Sequence, residues 1–146
     1  MNQDSWAHRP PPSADAGTAP IWQGQPLTAA ELSTGRAQLR TAVAGSAAAA
    51  ALIDDDLDRL LLVFEELTSN GLRHGARPVE VTLTGTPGGW LLEVSDAAVD
   101  RPPVPSADRD PAYGGLGLHL VATLCPAHGW DVRDGRKVVW GCLERH

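Results

Sequence analysis

The stretch "FEELTSNGLRHG", residues 64–75, decides how the rest of the chain is read. It closes a longer helical segment, "DDDLDRLLLVFEELTSNGLRHG" (54–75), in which Leu57, Leu60, Leu61, Phe64 and Leu67 recur at helical spacing as an apolar stripe. Asp54, Asp55 and Asp56 crowd its first turn, where the helix dipole favours acids. Gly75 is placed to end it as a left-handed cap. Beside the stripe runs a second line: Glu66, Asn70 and His74 recur at a spacing that projects all of them from one helix face. Glu65 points about 100° further round, toward water.

A polar helix face can simply meet solvent, and spacing alone leaves that reading open. The residue types also fit a chemistry. A carboxylate accepts a proton from a hydroxyl or a water, an Asn carbonyl is a hard oxygen ligand suited to Mg²⁺, and an imidazole adds a hydrogen bond near phosphate. Zinc does not fit, because the helix offers one His and no HExxH pattern.

Downstream the period changes from helical to alternating. "VEVTLTG" (79–85) and "GWLLEVSD" (89–96) flank the turn "TPGG" (86–89) and predict a β-hairpin. Asp96 ends the second strand, either as a turn-former or as a pocket-floor carboxylate able to accept from an exocyclic amine. Residues 97–113 hold Pro102, Pro103, Pro105 and Pro111, and a loop this long is usually functional or disordered. "GGLGLHLVATLC" (114–125) is a glycine-rich entry into a short helix. Glycines there let backbone N–H groups approach phosphate, although the Walker lysine is absent and no βαβ unit follows. "GWDVRDGRKVVWGCLE" (129–144) closes the chain as a hairpin around Asp134-Gly135.

Upstream, "TAAELSTGRAQLRTAVAGSAAAAL" (28–51) has helical composition, and "PIWQGQPL" (20–27) reads as a short strand or a docked extended segment. Residues 1–20 are Pro-, Ser- and Asp-rich without periodicity and read as a flexible tail, leaving 21–146 as one domain. Helices and strands come in blocks. That order predicts an α+β fold, a two-layer sandwich of a mostly antiparallel sheet with helices on one face. Trp22, Trp90, Trp130 and Trp140 are assigned to the core. His119 is read as a helix-surface residue.

The formal net charge is −6 and the basic residues are scattered, with Lys137 the only lysine, so a direct nucleic-acid surface is not expected. No apolar run reaches the roughly 18 residues of a membrane span, and the N-terminus lacks the basic and apolar blocks of a signal peptide. Cys125 and Cys142 form no CxxC pattern and read as reduced thiols. A cytoplasmic protein without a membrane partner is expected.

In this order the motifs resemble the GHKL, or Bergerat-fold, histidine-kinase-like ATPase superfamily, over residues 28–144. "EELTSNGLRHG" matches that family's N-box and "GGLGLHLV" its G2 box. The nearest likeness is to anti-sigma-factor serine/threonine-protein kinases. The resemblance implies ATP and Mg²⁺ as cofactors. It implies Asn70 as the Mg²⁺ ligand, Glu66 as the general base, and Arg73 and His74 near the phosphates. It implies Asp96 on the adenine amine, with Ala98 against the base. Residues 99–113 would be a lid, with Gly114, Gly115, Leu116, Gly117 and Leu118 holding the phosphates. Two positions depart from the pattern. The G1 box reads Asp96-Ala97-Ala98-Val99-Asp100 without a glycine, and Val138 stands where a Thr usually precedes "VW". The implied function is a regulatory kinase acting on a Ser or Thr of a partner, such as an anti-sigma-factor antagonist. The alternative is a catalytically silent module that binds a sigma factor through a degenerate adenine pocket. Relatives in this branch often form homodimers. Half of a split histidine kinase fits less well, because no helix carries a phospho-accepting His.

Overall fold

Side-chain alternation in two hairpins builds the sheet. The computed structural model describes residues 6–12, 19–46, 54–103 and 117–144 of the chain. The strands are β1 (Trp22–Leu27), β2 (Val79–Thr86), β3 (Gly89–Asp96), β4 (Ala127–Arg133) and β5 (Arg136–Glu144), and the helices are α1 (Leu32–Ala44), α2 (Asp54–His74) and α3 (Gly117–Leu124). The sheet order is β1-β2-β3-β5-β4, with every neighbouring pair antiparallel. This is the expected α+β architecture.

Cross-strand partners share a face, so the register assigns each side chain to a layer. Val81 opposes Val94, Leu83 opposes Leu92, Val94 opposes Val139 and Trp90 opposes Leu143. These residues form one buried cluster with Leu60, Leu61, Phe64 and Leu67 of α2 and with Leu118 and Val121 of α3. Gly71 brings α2 close to the sheet, since a Cβ there would meet Val94 at 3.3 Å and Val79 at 3.4 Å. The β4–β5 turn uses Asp134 and Gly135 at φ 53° and 74°, the left-handed pair that a two-residue hairpin favours.

Three expectations change. The helix expected over 28–51 starts as a 3₁₀ turn at Ala29–Glu31, and α1 stops at Ala44, before Gly45. Residues 47–51 lie outside the described residues. Gly75 is not a left-handed cap, because Gly135 is the positive-φ glycine among the described residues. Its N–H bonds the Gly71 carbonyl at 2.9 Å and continues the helix.

The third change concerns residues 6–12, expected to be part of a flexible tail. They lie along β4 in a short parallel bridge, His8 opposite Trp130. Arg9 N–H donates to the Trp130 carbonyl at 2.9 Å, and Trp130 N–H donates to the Ala7 carbonyl at 3.0 Å. Trp6 is buried against the His128 ring, His8 stacks on Trp130, and the Arg9 guanidinium lies 5.3 Å from the centre of a Trp140 ring. The aromatic residues of an aperiodic segment thus anchor it to an edge strand.

Candidate nucleotide site

Two turns from its C-terminus, one edge of α2 leaves the core and, with the start of α3 and the ends of β3 and β5, makes up the candidate cleft. Leu67 and Gly71 face the sheet and are buried, whereas Glu66 and Asn70 are half-buried and Arg73 and His74 are exposed. Glu65 points elsewhere and pairs with Arg36 of α1 at 3.2 Å. The acids at the helix start also divide their roles: Asp56 is fully buried and pairs with Arg59, which in turn donates to the Glu144 carbonyl at 3.2 Å.

The Glu66 carboxylate meets the first residue of α3. A Cβ built on Gly117 would lie 2.2 Å from Glu66 Oε2, so only glycine leaves the carboxylate in place. Burial raises the Glu66 carboxyl above its ordinary value, Arg73 pulls it back down, and Glu65 adds to the rise. A carboxylate whose proton affinity moves toward neutrality is better suited to accept a proton from a hydroxyl. Leu118, beside Gly117, is buried in the core cluster. Gly114, Gly115 and Leu116 lie outside the described residues, as do residues 104–113 of the expected lid. His119 is half-buried rather than on the surface, and its Nε2 is buried without a hydrogen-bond partner among the described residues.

The other end of the cleft is built on Asp96, which is 1% exposed. Its Oδ1 accepts from Ala98 N–H at 2.7 Å and from Ala76 N–H at 3.4 Å. Ala97 N–H bonds the Ala76 carbonyl at 2.8 Å, tying the segment after β3 to the segment after α2. Gly75 is glycine because of this carboxylate: a Cβ there would fall 2.5 Å from Asp96 Cγ and 2.6 Å from Oδ2. From Glu66 to Gly75 the helix rises about 13 Å. One edge of α2 therefore joins a carboxylate at the α3 end to a second carboxylate at the β3 end.

The register corrects the reading of the last strand. Val138 opposes Ser95 and lines a groove of about 280 Å³ with Glu80, Thr82, Glu93 and Arg136 on the sheet face away from the helices. The residue opposite Asp96 is Lys137. Its ammonium lies 3.4 Å from Asp96 Oδ2 and donates to the Arg101 carbonyl at 2.7 Å. Val138, expected at the adenine pocket, therefore lies on the opposite sheet face from Asp96, because neighbouring strand residues point to opposite faces. The available signal was the chain's single lysine inside an apolar strand.

Glu66 and Gly117 thus meet at one end of this edge, Asn70 follows one helical turn along it, and Asp96, Ala98, Gly75 and Lys137 gather at the other end. No curated protein matches the chain. The family model of the histidine kinase-like ATPase domain matches residues 28–142, from the start of the first helical turn to the last strand. The match takes in both ends of this cleft and both hairpins, and the chain belongs to the histidine kinase-like ATPase domain family.

Proposed function

We propose that the protein is an ATP- and Mg²⁺-dependent serine/threonine kinase of the anti-sigma-factor type, acting on a partner protein such as an anti-sigma-factor antagonist. The observation that carries this reading is the Glu66 carboxylate, held against Gly117 with a raised proton affinity on the helix edge that also bears Asn70. The donor set fits the nucleotide and metal: an amide oxygen for a hard cation, a glycine at the start of α3, and a buried carboxylate at the far end of the cleft. Asn70 would hold the metal, and Gly114, Gly115, Leu116, Gly117 and Leu118 would hold the phosphates, with Arg73 and His74 nearby. Asp96 would take the base. Bound Mg²⁺ supplies charge neutralisation at the phosphates.

The chain's own residues then have separable tasks. Glu66 accepts the proton of the attacking Ser or Thr hydroxyl. Arg73, exposed on the last turn of α2, adds positive charge beside it. Positioning and electrostatics account for the catalysis, as phosphoryl transfer requires.

The test is incubation of the purified protein with Mg²⁺ and γ-labelled ATP in the presence of soluble extract proteins. Label on a Ser or Thr of a protein acceptor, absent with Glu66→Gln, is the expected result. No label above that variant's background contradicts it. A second reading, a partner-binding module without turnover, is favoured by the burial of Asp96, which is 1% exposed and accepts from the N–H of Ala98, itself 3% exposed. Under that reading nucleotide fails to bind while a partner, such as a sigma factor, is still captured.

A further inference from the structure

Lys137 has no role in the activity proposed above. An ammonium 3% exposed is costly to bury unless its hydrogen-bonding capacity is used. Among the described residues its three N–H donors find one short acceptor, the Arg101 carbonyl at 2.7 Å. Asp96 Oδ2, at 3.4 Å, is too far for a short charge-assisted hydrogen bond. The carboxylate is equally incomplete. Among the described residues its two hydrogen bonds from backbone N–H groups both go to Oδ1, and none is made to Oδ2 at short range. Gly75 keeps the space beside Oδ2 free of a side chain, since its Cβ would lie 2.6 Å away. A charged donor and a charged acceptor therefore stand side by side, each with capacity left among the described residues.

We propose that Lys137 is a base-reading residue: its ammonium donates to adenine N1 while Asp96 accepts from the adjacent 6-amino group. The two ring-edge positions of adenine are an acceptor next to a donor, the complement of this pair. The assignment rests on the adenine-nucleotide reading of the site. It gives the chain a direct charged contact to the base, and it makes Lys137 a specificity determinant that also anchors the first lid residues through Arg101.

The experiment is calorimetric titration of the full chain with Mg²⁺-ADP and with Mg²⁺-1-deaza-ADP, in which a C–H replaces the N1 acceptor. Wild type should bind the deaza analogue at least about tenfold more weakly, the loss of roughly one hydrogen bond to a charged donor. Lys137→Met should bind ADP about tenfold more weakly than wild type and should not distinguish the two nucleotides. Equal binding of both by wild type overturns the assignment, and this comparison does not depend on how well the variant folds. Tighter ADP binding by a folded Lys137→Met also overturns it and makes Lys137 a plug on Asp96. If wild type binds neither nucleotide at millimolar concentration, the adenine-nucleotide reading itself fails.

Discussion

Gly117 and Gly75 lack side chains for a shared physical reason: a carboxylate stands where each Cβ would be. The clash at Gly117 is with the far end of a flexible Glu66 side chain, so Gly117→Ala should fold with a cost of about 1–3 kcal/mol while displacing the carboxylate proposed as the base. Phosphoryl transfer should fall at least about tenfold, a loss of the order expected for a misplaced general base. Thermal unfolding and a transfer assay on the same preparation check both parts. A Cβ on Gly75 would meet the Gly71 carbonyl at 2.7 Å as well as Asp96, so Gly75→Ala should weaken both stability and nucleotide binding. Glu66 also carries a sign. Its folded-state proton affinity is raised, so its contribution to stability is fully present below the ordinary Glu range and is lost as pH rises through the raised value. Glu66→Gln should therefore raise the unfolding midpoint at neutral pH while abolishing transfer, and in wild type the transfer rate should rise with pH as the carboxyl ionises. Glu66 and Asn70 were legible in the sequence because helix spacing fixes which residues share a face. Lys137 was not, because strand register is set by pairing with a segment some forty positions away, Asp96 opposite Lys137.

At the scale of elements, α2 serves two layers. Its apolar stripe packs on β2, β3 and β5, and its polar edge is left to the cleft, so it can lose a polar side chain there without opening the core. The long periodic helix and both hairpins were readable from sequence, since period and turn residues are local properties. The docked N-terminal segment was not. Its composition is that of an unstructured tail, and its order comes from tertiary contacts of Trp6, His8 and Arg9 with β4 and β5. Trp6→Ala should cost about 3 kcal/mol, the lower end for a large aromatic truncated in a core. Chemical denaturation checks this, and an unchanged midpoint would mean that the segment does not contribute to the folded state.

Among the described residues, the helices and the sheet enclose one core, and the candidate cleft is assigned to the edge shared by α2, α3 and the ends of β3 and β5. Cys125 sits in that core, and burial pushes its thiol up to about 12, with Cys142 adding to the shift and Arg59 opposing it. Alkylation of Cys125 at mildly alkaline pH should therefore follow global unfolding, with labelling accelerating only as denaturant approaches the midpoint. Among the described residues no helix is long and apolar enough to cross a membrane. The family assignment rests on the span from residue 28 to residue 142, nearly the span over which the sequence motifs fall in order. Partner choice was not legible, because it resides in surface side chains that neither periodicity nor register constrains.

The central claim is that the Glu66–Asn70 edge of α2 is the wall of a nucleotide–metal site. Calorimetric titration with ADP, in the presence and absence of Mg²⁺, on wild type and Asn70→Ala tests it most directly. The account predicts saturable binding that requires Mg²⁺ and is weakened at least about tenfold in Asn70→Ala at an unchanged unfolding midpoint, as expected for loss of a metal ligand. Binding that is indifferent to Mg²⁺ and identical in the two proteins, or no binding at millimolar nucleotide, would contradict it.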